Sequence, residues 1–156
     1  MTRWLDEEER RAWLRLAGVM LKLGPALDSQ LQRDSHLTQF DYLALAMLSE
    51  APERTLRMSE LAGKVNASLS RLSHVVKKLE ARGWIERFPC PDSRRVTMAR
   101  LTEDGWRVVV RAAPGHVETV RALVFDGLDR EDVHDLERLA GHIVDRIEAA
   151  GLRTVE

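Results

Sequence analysis

The sequence predicts a mainly α-helical chain with one small antiparallel β-hairpin, and three observations carry that prediction. Apolar residues recur every three to four positions over most of the chain, which is the period of an amphipathic helix. Between Trp84 and Leu101 that period gives way to two short strand-like runs separated by turn chemistry. Just before the hairpin, two short amphipathic helices are joined by the turn and capping residues Asn66, Ala67 and Ser68.

Taken in order, residues 6–33 read as a first helix. Trp13, Leu16, Ala17, Met20, Leu21, Leu27 and Leu31 line one side, and Gly24–Pro25 is expected to kink or divide it. Asp34–Ser35–His36 reads as a loop. Thr38 and Asp41 have the spacing of a capping box opening a second helix, with Tyr42, Leu43, Ala46, Met47 and Leu48 on its buried side. Leu56–Arg57–Met58 is expected to add a small third strand. Ser59 is a suitable cap for a helix burying Leu61, Ala62 and Val65. The next helix buries Leu69, Leu72, Val75, Val76 and Leu79, and Gly83 ends it as the residue after the cap.

Trp84–Phe88 and Val96–Leu101 read as strands joined by Pro89–Arg95. Thr102 caps a long helix that Pro114–Gly115 should bend or break. Asp129 caps the last helix, where Val133, Leu136, Ala140, Ile143 and Ile147 alternate three and four residues apart. Helix–turn–helix followed by a two-stranded wing is the winged helix-turn-helix plan, which sets one helix in the DNA major groove while the wing reaches the backbone or minor groove.

Composition agrees with a globular domain: of 156 residues, 44% are apolar and 31% charged. No apolar run approaches the ~18 residues of a membrane span, and the acidic start lacks a signal-peptide apolar core. One cysteine cannot form an internal disulfide, which suits a reducing cytoplasm. The net charge of −1 is unevenly placed. Lys64 to Arg100 carries nine Lys/Arg against three Asp/Glu, whereas both flanking segments are acidic. Cations are therefore concentrated in the helix and hairpin that would face a polyanion. No phosphate-cradling glycine loop, nucleophile elbow or zinc-hydrolase motif is present, so nothing points to an enzyme or to a cofactor.

The stretch Arg82-Gly83-Trp84-Ile85-Glu86-Arg87, then Asp92-Ser93-Arg94-Arg95, then Leu101-Thr102-Glu103-Asp104-Gly105 resembles the multiple antibiotic resistance regulator (MarR) family. That family carries GW[IV]-x-R, D-x-R and LT-x-x-G in this order and spacing. The resemblance implies a homodimeric transcriptional regulator, typically a repressor, that binds double-stranded DNA at a palindromic operator and responds to a small aromatic effector. It divides the chain into an N-terminal dimerisation helix (1–35), a winged helix-turn-helix domain (36–104) and C-terminal dimerisation helices (105–156). Helix 68–82 would enter the major groove, and wing 88–96 would lie at the minor groove.

Candidate DNA contacts follow from residue chemistry. Ser68 and Ser70 lie where hydroxyls and open backbone N–H groups can bind phosphate, and Arg71 adds a cation beside them. Ser73 and His74 face outward one turn on and are candidates for base edges; the family often has Thr–Arg there. Lys77 and Lys78 are candidate phosphate contacts, which position rather than read. On the wing, the resemblance implies that Arg94 enters the minor groove and that Asp92 orients it through a charge-assisted bond. Arg95 replaces the family's usual glycine and adds a cation.

Trp13, His36, Tyr42 and Trp106 are candidates for an aromatic effector pocket between the lobes. Cys90, between two prolines, reads as a small structural residue, and the histidines lack zinc-site spacing. The alternative reading is a winged-helix protein-interaction module whose basic face meets an acidic protein surface.

Overall fold

The computed structural model describes residues 1–151. Six helices and a three-stranded sheet follow in the order α1 (Glu7–Ser35), α2 (Gln39–Glu50), β1 (Thr55–Arg57), α3 (Met58–Lys64), α4 (Leu69–Ala81), β2 (Ile85–Cys90), β3 (Ser93–Leu101), α5 (Glu103–Val120) and α6 (Arg130–Ala149). The sheet is antiparallel with order β1-β3-β2, so both predicted hairpin strands and the small third strand are present. It is a mainly α winged helix-turn-helix fold.

The core lies beneath α2, α3 and α4. Leu31, Leu45, Leu48, Leu61, Leu72, Val76, Leu79 and Ile85 meet there and are almost wholly buried. On α2 the buried side is Asp41, Tyr42, Ala44, Leu45 and Leu48, while Leu43, Ala46 and Met47 are only half-buried. The helix-turn-helix corner is made by Asn66 at a φ of 52°, a left-handed position that asparagine tolerates. Ala67 N–H bonds back to Ala62 O at 3.0 Å.

Several boundaries differ from the sequence expectations, each for a physical reason. α3 starts at Met58 with Arg57 as its cap, because Glu60 accepts from Arg57 N–H at 2.9 Å and Met58 is buried; Ser59 is exposed. β1 is accordingly one residue earlier than predicted. α1 runs on to Ser35, and His36 closes it in the left-handed region. Neither proline breaks its helix. Pro25 and Pro114 both lie on exposed faces, where water can reach the carbonyl each one leaves unbonded. α5 also packs on α1 and α2, which supports its continuity through Pro114. Beyond Val120 the helix widens into a π-type turn over Arg121–Phe125 before the Gly127–Leu128 turn. Leu69, expected in the core, is half-exposed at the first turn of α4.

α6 lies apart from the core. Its twenty residues include none that is buried, and its apolar side chains Leu136, Leu139, Ile143 and Ile147 are all exposed. Trp13, Leu14, Val19, Met20 and Leu21 on the first half of α1 are exposed as well.

Candidate nucleic-acid interface

α4 is capped by Ser68, whose hydroxyl accepts from Arg71 N–H at 3.1 Å. That bond uses the acceptor side of Ser68 and leaves the Leu69 and Ser70 N–H groups as the open donors of the first turn. Leu72, Val76 and Leu79 hold the helix to the core. Ser70, Arg71, His74, Lys77 and Lys78 are exposed, and Ser73 is half-buried. Spacings of three and four residues put Ser70, His74 and Lys77 on one outward stripe.

The acids of this segment are mostly already engaged. Arg87 grips Glu80 with side-chain bonds of 2.8 and 3.2 Å and a backbone bond of 3.1 Å, tying β2 to α4. The Arg87 side-chain bonds hold the Glu80 carboxyl below the usual carboxylate range. Glu86 pairs with Arg100 along the hairpin, and Arg100 also lies 5.0 Å over the Phe88 ring. Lys78 reaches across to Asp41 of α2 at 2.6 Å, and Asp41 is only 2% exposed. Within this segment, Lys64, Arg71, Lys77, Arg82, Arg94 and Arg95 have no acidic partner among the described residues. Arg71 stacks at 4.6 Å over Phe40 and Arg82 at 4.8 Å over Trp84, which keeps both guanidinium groups against the surface.

The wing is a continuous ribbon. Its strands extend through Pro89–Cys90 and Ser93–Arg95, with a turn at Pro91–Asp92 and a register shift at Pro89/Cys90. Pro89 fits because β2 is an edge strand and needs no outward N–H bond. Cys90 is buried, as a small structural residue should be. Arg94 and Arg95 stand exposed beside the tip. No ion pair joins Asp92 to Arg94, contrary to the bond implied by the family resemblance. Both side chains are exposed, and such a pair is worth about 0–1 kcal/mol, too little to hold two solvated groups together.

The four candidate effector residues differ in exposure and contacts. Trp13 is half-exposed on α1, and His36 is exposed at its end. Tyr42 packs at 4.6 Å on His116, and Trp106 lies under Arg54 at 4.3 Å. The fold also has an open groove of about 750 Å³ between α1, α2 and α4, walled by Pro25, Asp28, Phe40, Asp41, Arg71 and Lys78. Asp41 and Phe40 had local signals, a capping box and an apolar position. Their contacts with Lys78 and Arg71 join residues more than thirty positions apart and leave no sequence signature.

This architecture is shared over the full length of known regulators. The chain superposes on the crystal structure of Sco3205 in complex with DNA, a MarR family transcriptional regulator from Streptomyces coelicolor. The TM-score is 0.90 at 40% identity, covering 92% of this chain and 94% of that one. The chain belongs to the MarR family. AbsC, a second MarR family regulator from S. coelicolor, matches with a TM-score of 0.90 and 36% identity over 95% of this chain and 99% of its own. The family model itself matches residues 37–97. Among curated proteins, the HTH-type transcriptional regulator PecS of Dickeya dadantii (strain 3937) is 28% identical over 89% of this chain and 83% of its own. This MarR-family chain is thus a transcriptional regulator and not an enzyme. Among its described residues no helix is long and apolar enough to cross a membrane, and no His, Cys, Asp and Glu cluster could hold a metal ion.

Proposed function

We propose that this MarR-family regulator is a homodimeric repressor that reads a palindromic operator and is released by a small aromatic effector. α4 enters the major groove, with Ser73 and His74 toward base edges and Ser70, Arg71 and Lys77 toward phosphates. Arg94 and Arg95 of the wing lie at the minor groove. The observation that carries this reading is that six of the nine cations between Lys64 and Arg100 have no acidic partner, five of them on α4, its C-cap and the wing. Engagement with Asp41 removes Lys78 from the contacts expected to matter most, because binding a phosphate would require breaking that pair. The Sco3205 complex supports DNA as the partner.

Residues 1–35 and 105–156, of which 152–156 lie outside the described residues, form the dimerisation lobe in this reading. The exposed apolar faces of α1 and α6 support it, since a second copy would cover them by the same patch on both chains. The groove beside α4 is the place where an effector could bias the spacing of the two reading helices.

Binding of the protein to its own upstream intergenic DNA, measured by fluorescence anisotropy from low to high salt, tests the reading. The logarithm of affinity should fall linearly with that of salt, by about 0.9 for each phosphate neutralised. Arg94→Ala should lower that slope by about 1 per protomer while the dimer stays folded. No shift of any upstream palindrome at physiological salt would leave the protein-interaction alternative standing.

A further inference from the structure

The first turn of α5 is bonded to the end of α4 and to the base of the hairpin. Thr102 N–H donates to Trp84 O at 3.0 Å, and the Thr102 hydroxyl donates to Gly83 O at 2.7 Å. The same hydroxyl oxygen accepts from Gly105 N–H at 3.0 Å. Gly83, with a φ of 75°, turns the chain out of α4 so that its carbonyl and that of Trp84 face Thr102. Gly105 closes the joint from the other side. A Cβ there would stand 2.2 Å from Trp84 O and 2.6 Å from Leu101 Cδ1. Arg54, the residue before β1, holds the same turn by pairing with Glu103 at 3.1 Å and stacking at 4.3 Å over Trp106.

One hydrogen-bonded node therefore joins the end of the reading helix, the foot of the wing and the start of α5. From it α5 runs eighteen residues to Val120, a lever of roughly 27 Å at about 1.5 Å per residue. A rotation of about 10° at the node would carry the far end of such a lever by roughly 5 Å, more than the ~3.4 Å between successive base pairs.

We propose that Thr102 is a positioning residue for operator reading. Its hydroxyl fixes the angle between the α4–wing unit and α5, and so selects the half-site spacing that the dimer accepts. This rests on the DNA-reading homodimer proposed above and adds a residue outside α4 and the wing tip that governs spacing rather than sequence.

The test uses the palindromic duplex that wild-type protein enriches from a random-sequence pool. Variants of that duplex lengthen or shorten the distance between half-sites by one base pair, and a single half-site serves as control. Each base pair moves the second half-site by about 3.4 Å and turns it by about 35°. Wild-type protein is expected to prefer one spacing by about ten-fold or more over its neighbours. Thr102→Val keeps the shape and removes the hydroxyl. It should shrink that preference to about three-fold while leaving single-half-site affinity within about two-fold, and Thr102→Ser should restore it.

Should Thr102→Val fail to fold, Arg54→Ala loosens the same turn from its other side and should flatten the spacing profile in the same way. A folded variant that keeps the wild-type profile overturns the inference. So does one that loses affinity equally for the half-site and every duplex. If wild-type protein enriches no DNA at all, the DNA-reading proposal falls first and takes this inference with it.

Discussion

At the scale of single residues, His116 is the titratable group whose surroundings change it in the physiological range. Its ring packs on Tyr42 of α2, and the adjacent Gly115 lies against Gln30 and Asp34 of α1. Burial pushes the His116 pKa below its ordinary 6.5. The fold thus favours neutral imidazole, and between the lowered value and 6.5 the unfolded chain binds more protons. The stability this contributes is complete above pH 6.5 and drains away as pH falls through the folded value. Asp34, held low mainly by its bond from Gln30, acts only below its ordinary 3.8 and does not overlap that window. His116→Phe keeps an aromatic ring on Tyr42 and is expected to flatten the urea-midpoint curve just below pH 6.5. An unchanged slope there would clear His116 of the effect. Residue chemistry of this kind was only partly legible in the sequence. The outward stripe of Ser70, His74 and Lys77 follows from helical spacing alone, whereas the pairing of Lys78 with Asp41 depends on how α4 crosses α2.

At the scale of elements, glycines separate local from tertiary constraint. Gly63 sits in α3 with nothing near the place a Cβ would occupy, while Gly105 lies hard against the Trp84 carbonyl. Gly63→Ala should raise stability by about 0.5–1 kcal/mol through the unfolded chain's lost freedom. Gly105→Ala should cost about 1–3 kcal/mol, because backbone must move to admit the methyl group. Thermal unfolding of the two variants checks both signs, and a neutral Gly105→Ala would mean that the joint yields more easily than its geometry implies. The sequence motif ending in Gly105 acquires a physical content here: Thr102 caps and cross-links, and Gly105 lets α5 approach. Element ends were less legible than element types. Both prolines suggested breaks, yet each is exposed where water can satisfy the freed carbonyl, and packing elsewhere along the helix carries it past the proline.

At the scale of the whole molecule, the outer helices leave apolar side chains uncovered in a single chain. Leu139 and Ile143 of α6 are 51% and 42% exposed, and α6 has no buried residue with which to hold itself in place. Placing charge at both, as Leu139→Asp with Ile143→Asp, is expected to turn the proposed dimer into a monomer in sedimentation velocity. Operator affinity should fall by about 100-fold or more, because one reading helix then has to bind without its partner. A double variant that remains dimeric would move the interface away from α6.

The amino-acid order alone determined the helical period, the two strands and their wing, the caps at Thr38, Thr102 and Asp129, and the concentration of cations between Lys64 and Arg100. These depend on interactions within a few residues, which the chain states directly. Only the tertiary structure decided which of those cations keep acidic partners, that Tyr42 packs on His116 and Trp106 under Arg54, and that the end of α4 and the start of α5 share one joint. Those facts depend on groups far apart in sequence meeting in space, and their distances are set by how the core packs.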